Sequence, residues 1–201
     1  MNIILLGGNN VGNRKWIRAV EKLLKPRFET HVLDYKHWNN GNEWINPEEE
    51  LKRLAQLGEK LKNYTIFARS AGTMITLMGN ARKWLKPASC VFVGMSIKWS
   101  AYFDPDYDTW LRNFTTKSLV IQKTNDPAIS CNSLRTFLNS RNFRNYQLKE
   151  IPGDDHYYGN IQDLANLTID FSLKKVVREK IATSNNYRKT SVQHTNFVSL
   201  I

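Results

Sequence analysis

Short apolar runs rich in β-branched residues alternate along the chain with longer amphipathic stretches. The short runs predict strands, because glycine, proline or polar clusters bound them, and the amphipathic stretches between them predict helices. This alternation is typical of βα units around a mostly parallel sheet. The predicted strands are residues 3–6, 30–35, 64–68, 89–93, 117–123 and 146–151.

Proline and glutamate mark several of the predicted helix ends. Pro26 and Pro87 are expected to close the helices that precede them, because proline cannot continue a helix. Pro47 followed by three glutamates is typical of a first helical turn. The predicted helices are residues 16–24, 47–61, 71–85, 130–140 and 161–181.

The size and composition of the chain fit one domain. The 201 residues are 41% hydrophobic, which is enough to bury one full-sized core. We predict that residues 1–182 form this domain and that the polar stretch 183–201 is a flexible tail. Cys90 and Cys131 are too few for a disulfide framework, so a reducing compartment is expected.

The formal net charge of +11 raises nucleic acid or an anionic membrane surface as partners. The basic residues are spread along the chain rather than clustered, which favours a basic surface without a specific nucleic-acid site. No stretch approaches the roughly 20 apolar residues of a membrane span, and the N-terminus lacks a basic leader. We expect a cytoplasmic protein.

A serine follows the third predicted strand directly and precedes a predicted helix. The segment reads Ala68-Arg69-Ser70-Ala71-Gly72, with small residues around the serine. This is the pattern of a nucleophile elbow, in which the serine adopts strained backbone angles and its neighbours let strand and helix approach closely. The alternative is a serine that only caps a helix after a buried strand.

An acid and a histidine follow two later strands. Asp126 comes after the fifth predicted strand, where it would orient an imidazole, cap the next helix or form an Asp-Pro turn. Asp104, Asp106 and Asp108 are the reserve candidates. Among the four histidines, His156 alone lies between the last predicted strand and the last predicted helix.

At these residues the sequence resembles the α/β-hydrolase superfamily, whose elbow is usually written G-x-S-x-G. Ala68 departs from that pattern by one methyl group. The order Ser70, Asp126, His156 is the one that this superfamily uses for nucleophile, acid and base. The resemblance implies a three-layer α/β sandwich with a parallel sheet of about six strands in the order 2-1-3-4-5-6 and helices on both faces.

The resemblance also implies an oxyanion hole and a substrate pocket. The backbone amides of Asn9 and Ala71 would form the hole, since Gly7 and Gly8 allow the backbone to approach a ligand closely. Arg69 is expected to line the pocket and favour an anionic substrate, or to reach solvent. Aromatic and sulfur-bearing residues expected at the pocket are Trp38, Trp44, Met95, Trp99, Tyr102, Phe103 and Trp110.

The resulting prediction is a serine hydrolase that cleaves a small ester or related acyl substrate through an acyl-enzyme, with no metal and no organic cofactor. A non-catalytic or nucleotide-binding α/β module that uses the Gly7-Gly8 loop is the alternative, although the G-x-G-x-x-G spacing is absent. A polyanion-binding protein is the third possibility.

Overall fold

The computed structural model describes residues 1–173. The strands are β1 (Asn2–Leu6), β2 (Glu29–Val32), β3 (Tyr64–Arg69), β4 (Ser89–Val93), β5 (Ser118–Lys123) and β6 (Tyr146–Ile151). The helices are α1 (Asn13–Leu24), α2 (His37–Asn40), α3 (Pro47–Leu61), α4 (Ala71–Ala81), α5 (Ile97–Ser100), α6 (Tyr107–Arg112), α7 (Cys131–Ser140) and α8 (residues 161–173). A 3₁₀ turn (Ala101–Phe103) follows α5.

The strands form one parallel sheet in the order β2-β1-β3-β4-β5-β6, as predicted. Every residue of β3, β4 and β5 is buried, because helices cover both faces of the central strands. The residues of the edge strand β6 are partly buried or exposed. The carboxyl ends of the central strands therefore open onto one edge of a rigid sheet.

Helix α4 lies at the centre of one layer, against β3, α3 and α6. Nine of its eleven residues are buried, which explains why its sequence is apolar on nearly all sides. Gly79 lets α3 approach closely, since a Cβ there would lie 2.5 Å from Leu51 Cδ1. This packing fixes the helix whose first turn follows Ser70.

Two predicted boundaries were wrong for local reasons. Helix α4 ends at Ala81 rather than near residue 85, because Lys83 adopts a left-handed conformation (φ 61°) and turns the chain before Pro87. Strand β2 ends at Val32, because Tyr35 turns inward and donates from its hydroxyl to the Gly7 carbonyl at 3.0 Å.

Two further differences concern segments predicted as loops and the end of the chain. The tryptophan-bearing loop contains α2, and the connection between β4 and β5 contains α5, the 3₁₀ turn and α6. The predicted tail at 183–201, the domain boundary at 182 and the end of the last predicted helix lie outside the described residues. Within residues 1–173, none of the helices is long and apolar enough to cross a membrane.

The start of α3 provides a test of local stability. The Asn46 side chain accepts a hydrogen bond from Glu49 N at 3.2 Å and caps the helix, and Pro47 occupies its first turn. We expect Asn46→Ala to lower the free energy of unfolding by about 1 kcal/mol in urea titrations, because an orphan amide loses its acceptor. Gln56→Ala, on the exposed face of the same helix, should change it by less than about 0.5 kcal/mol. Equal effects would contradict the capping role.

Candidate active site

Ser70 occupies the sharp turn between β3 and α4. Its backbone has φ 50° and ψ −117°, a combination that L-residues rarely adopt. The turn is held from the sheet side, because Ser70 N donates to the Val93 carbonyl at 3.0 Å. Such strain persists where surrounding structure fixes it, and it is concentrated at functional sites.

The glycines around Ser70 are required by close packing. A Cβ on Gly72 would lie 2.7 Å from Leu6 Cβ and 2.9 Å from the Gly7 carbonyl oxygen. A Cβ on Gly8 would lie 3.1 Å from Ser70 Cβ. Because α4 and the loop after β1 approach this closely, a larger residue at Gly72 would force the two segments apart.

The structure brings together the three side chains that the sequence singled out. Ser70 Oγ lies 3.0 Å from His156 Nε2, and His156 Nδ1 lies 2.8 Å from Asp126 Oδ2 and 3.0 Å from Asp126 Oδ1. The residues come from the ends of β3 and β5 and the loop after β6. They form one continuous chain of hydrogen bonds from an almost buried hydroxyl to a buried carboxylate.

Asp126 is surrounded by hydrogen-bond donors. It is 2% exposed, and its Oδ1 accepts from Ala128 N at 2.8 Å while its Oδ2 accepts from the Tyr158 hydroxyl at 2.7 Å. Ser130, not Asp126, caps α7. The hydrogen bond from Ala128 N to Asp126 belongs to an Asx-type turn. The predicted turn at Asp126 and its contact with His156 therefore occur together.

The reserve acids have other contacts. Asp106 caps α6 by accepting from Thr109 N at 3.0 Å, and Asp108 pairs with Arg141 at 2.6 Å. Asp104 is exposed and adopts a left-handed conformation at the end of the 3₁₀ turn. His156 makes its carboxylate contact with Asp126 instead.

Three consecutive carbonyls hold the loop that carries His156. Arg69 Nη2 donates to the His156 carbonyl at 2.8 Å, Lys123 Nζ to that of Tyr157 at 2.9 Å, and Trp16 Nε1 to that of Tyr158 at 2.8 Å. The donors come from β3, β5 and α1. The loop is thus fixed to three separate elements, which keeps the imidazole in place without help from a ligand.

Arg69 does not reach solvent, which was one of the two expectations for its side chain. It is 6% exposed, and its guanidinium lies 4.8 Å above the ring of Trp16. It borders the cavity at Ser70, but its hydrogen bond goes to the His156 carbonyl. Burial lowers the pKa of Arg69. Its visible role is to connect the serine turn to the histidine loop.

A cavity of about 300 Å³ opens at Ser70 and His156. Trp99 forms one wall and its ring meets that of His156 edge to face, with centroids 4.6 Å apart. Trp44 and Phe103 supply further aromatic lining. The lining residues are Asn9, Asn10, Asn13, Trp44, Arg69, Ser70, Ala71, Met74, Ser96, Trp99, Ser100, Phe103 and His156.

Some of the predicted pocket residues are absent from this lining. Met95 is wrong as a pocket residue, because it is fully buried in the core and its backbone N donates to Gln122 Oε1. Trp38 is buried beside Tyr35, and Trp110 packs on Tyr107. Tyr102 is 70% exposed and stacks on Trp44 at the rim, with centroids 5.2 Å apart.

Asn9 and Ala71, whose amides were predicted to form the oxyanion hole, both border the cavity beside Ser70. Asn9 is firmly anchored, since its carbonyl accepts from Trp38 Nε1 at 3.0 Å and its Oδ1 accepts from Ile45 N at 2.7 Å. Ala71 begins α4, where backbone N–H groups carry partial positive charge. Among residues 1–173, no cluster of His, Cys, Asp or Glu is placed to hold a metal.

Two residues of the site were missed by sequence reasoning. Tyr158 donates to Asp126, and Gly94 has φ 59° and makes room for Tyr158, since a Cβ there would lie 2.5 Å from Tyr158 Cε2. Gly94 directly follows β4, and this position at the carboxyl end of a central strand could have indicated a residue of the site. Nothing local in the sequence marks Tyr158.

In overall structure the chain is similar to solved α/β hydrolases. It matches Est1E from Butyrivibrio proteoclasticus, solved with ferulic acid, with a TM-score of 0.70 at 13% identity, covering 88% of this chain and 89% of that one. It matches a serine hydrolase involved in carbazole degradation with a TM-score of 0.67 at 14% identity, covering 85% and 90%. An α/β-hydrolase enzyme from a Medee basin deep-sea metagenome library gives 0.62 at 14% identity, covering 85% and 88%.

In sequence, no family model and no curated protein matches the chain. The structural similarity shows the α/β-hydrolase fold that the elbow pattern predicted. At 13% to 14% sequence identity, the structural similarity shows a shared fold.

The backbone strain at Ser70 can be measured by comparing two substitutions. Both Ser70→Ala and Ser70→Gly remove the hydroxyl, but only glycine tolerates φ 50° without steric cost. We expect Ser70→Gly to be more stable than Ser70→Ala by about 1 kcal/mol in chemical denaturation, even though glycine is the more flexible residue when unfolded. If Ser70→Ala were equally or more stable, the turn would not be strained.

Proposed function

We propose that the protein is a serine hydrolase that cleaves a small ester or related acyl substrate. The observation that carries the proposal is the hydrogen-bonded chain, in which Ser70 Oγ lies 3.0 Å from His156 Nε2 and His156 Nδ1 lies 2.8 Å from the buried Asp126. A serine is a weak nucleophile at neutral pH unless an adjacent base accepts its proton. This arrangement supplies that base and an anion that orients it.

The proposed first half-reaction forms an acyl-enzyme. Ser70 Oγ attacks the substrate carbonyl carbon while His156 Nε2 accepts the hydroxyl proton, and the carbonyl electron pair moves to the oxygen. The amides of Asn9 and Ala71 are the proposed donors to this oxyanion. When the tetrahedral intermediate collapses, the bond to the leaving oxygen breaks and His156 gives its proton to the departing alcohol.

The second half-reaction returns the enzyme to its starting state. A water molecule donates a proton to His156 Nε2 and attacks the acyl carbon, and the second intermediate collapses to release the carboxylic acid. His156 returns the proton to Ser70 Oγ. Asp126 stays ionised throughout and stabilises the imidazolium that forms in each half.

The cavity supports a small substrate with an apolar group. Its volume of about 300 Å³ is at the lower end for ligand sites, and Trp44, Trp99 and Phe103 give it aromatic walls. Such walls favour a flat, apolar group, and the ferulic acid bound to Est1E carries an aromatic ring.

The two cysteines are buried and unpaired, which fits the predicted reducing, cytoplasmic compartment.

A fluorophosphonate probe tests the nucleophile directly. We expect covalent labelling of the wild type and none of Ser70→Ala, because the probe requires an activated serine. Ser133→Ala is a suitable control, since Ser133 is an exposed serine on α7 and its loss should leave labelling intact. Equal labelling of the wild type and Ser70→Ala, measured by gel fluorescence or intact mass, would rule out Ser70 as the nucleophile.

The acid is tested by Asp126→Asn. We expect kcat for a 4-nitrophenyl ester to fall by roughly 10³-fold to 10⁴-fold, because an asparagine cannot stabilise the imidazolium and favours the wrong tautomer. KM should change little, since Asp126 does not border the cavity. Asp106→Asn, at the cap of α6, is the matched control and should retain activity. An Asp126→Asn variant with near-normal kcat would exclude Asp126 from the mechanism.

A further inference from the structure

Tyr158 shares one carboxylate oxygen with His156. Its hydroxyl lies 2.7 Å from Asp126 Oδ2, and that same oxygen lies 2.8 Å from His156 Nδ1. The tyrosine is 1% exposed and its hydroxyl is part of the same hydrogen-bonded network as Ser70, although it does not border the cavity. The network thus extends one residue beyond the three side chains that the sequence indicated.

The direction of the Tyr158 hydrogen bond is fixed by its other partner. The backbone N–H of Lys123 donates to the Tyr158 oxygen at 3.1 Å, and an N–H group can only donate. The phenolic proton is therefore the one that points to Asp126. Burial and the negative charge of Asp126 raise the pKa of Tyr158, so the phenol stays protonated and remains a donor.

We propose that Tyr158 is a positioning residue that sets the basicity of His156 by donating its phenolic hydrogen bond to Asp126. The inference rests on the proposed hydrolase function, in which His156 must both accept and return a proton. A donor to Asp126 disperses part of the carboxylate charge, so the carboxylate attracts the protonated imidazole less strongly. His156 is then neutral at lower pH and returns its proton to a leaving alcohol more readily.

The charged and titratable groups that face the His156–Asp126 pair come from several elements. Arg69 approaches from β3 and Lys123 from β5, while Asp155 and Tyr157 belong to the histidine loop itself. Lys123 is the main cause of the lowered pKa of Asp155. Removing only the Tyr158 hydroxyl deletes none of these groups.

If Tyr158 had only a structural role, a different result would be expected. Its ring fills the space beside Gly94, and the ring persists in phenylalanine. Loss of the hydroxyl alone would then lower stability, because the amide of Lys123 loses its acceptor, and would leave the ionisation of His156 unchanged. The pH dependence therefore separates the two roles.

The first experiment compares Tyr158→Phe with Tyr64→Phe. Tyr64 is a matched control, since its buried hydroxyl also accepts a backbone N–H, that of Lys86 at 3.2 Å, at the opposite end of the strands. For Tyr158→Phe we expect the acidic limb of the kcat/KM profile, which reports ionisation in the free enzyme, to move to higher pH by about half a unit or more. Plateau kcat should fall about fivefold and KM should stay unchanged. Tyr64→Phe should shift neither the limb nor the plateau.

The second experiment is designed to move the midpoint of the acidic limb in the opposite direction. Replacement of Tyr158 by 3-fluorotyrosine makes the phenol a stronger donor and adds little volume, so the midpoint should move to lower pH. This variant also serves if Tyr158→Phe does not fold. Midpoints that coincide in the wild type, Tyr158→Phe and the fluorinated protein, or that move in the same direction, would overturn the proposal.

NMR titration of the His156 imidazole reports the same midpoint without any substrate. The chain has four histidines, and the His156 signal is assigned by its loss in His156→Gln. If the fluorophosphonate does not label Ser70, the proposed function fails, whereas the link between Tyr158 and His156 is still decided by this titration. An unshifted His156 midpoint in an active Tyr158→Phe enzyme would refute the link alone.

Discussion

The site depends on the backbone conformation of Ser70, which no single contact could hold. Its amide is bonded to the carbonyl of Val93 on the neighbouring strand, and two residues later the amide of Gly72 donates to the Gly7 carbonyl at 3.2 Å. The turn is therefore tied to β4 on one side of β3 and to the residue that follows β1 on the other. Because the buried centre of the sheet resists distortion, strain at one residue is tolerated and the hydroxyl is directed at His156.

A second constraint is the burial of the Asp126 charge. An ionised carboxylate that is 2% exposed must receive hydrogen bonds to remain charged, and Ala128 N, Tyr158 Oη and His156 Nδ1 provide them. Each donor also fixes the direction of the carboxylate. The same bonds that compensate desolvation therefore orient the imidazole, so stability and function depend on one set of contacts at this point.

Much of the fold and of the candidate site was predictable from sequence because local patterns encode it. Parallel strands bring their carboxyl ends to one edge, so residues that follow β3, β5 and β6 meet although 86 positions separate Ser70 from His156. What failed was long-range packing. Nothing near Arg69 indicates that its guanidinium lies over Trp16, and nothing near Met95 indicates that it turns into the core.

Arg69 and Asp126 hold His156 in different ways, Arg69 through the backbone carbonyl and Asp126 through the imidazole. Within residues 1–173 no carboxylate forms an ion pair with Arg69, and its guanidinium donates to the His156 carbonyl and lies over the Trp16 ring. A carboxylate in contact with an imidazole favours the protonated form of that ring. A tyrosine hydroxyl bonded to Asp126 weakens this effect without adding net charge, and its fixed position in the core requires no solvent reorganisation as the proton moves.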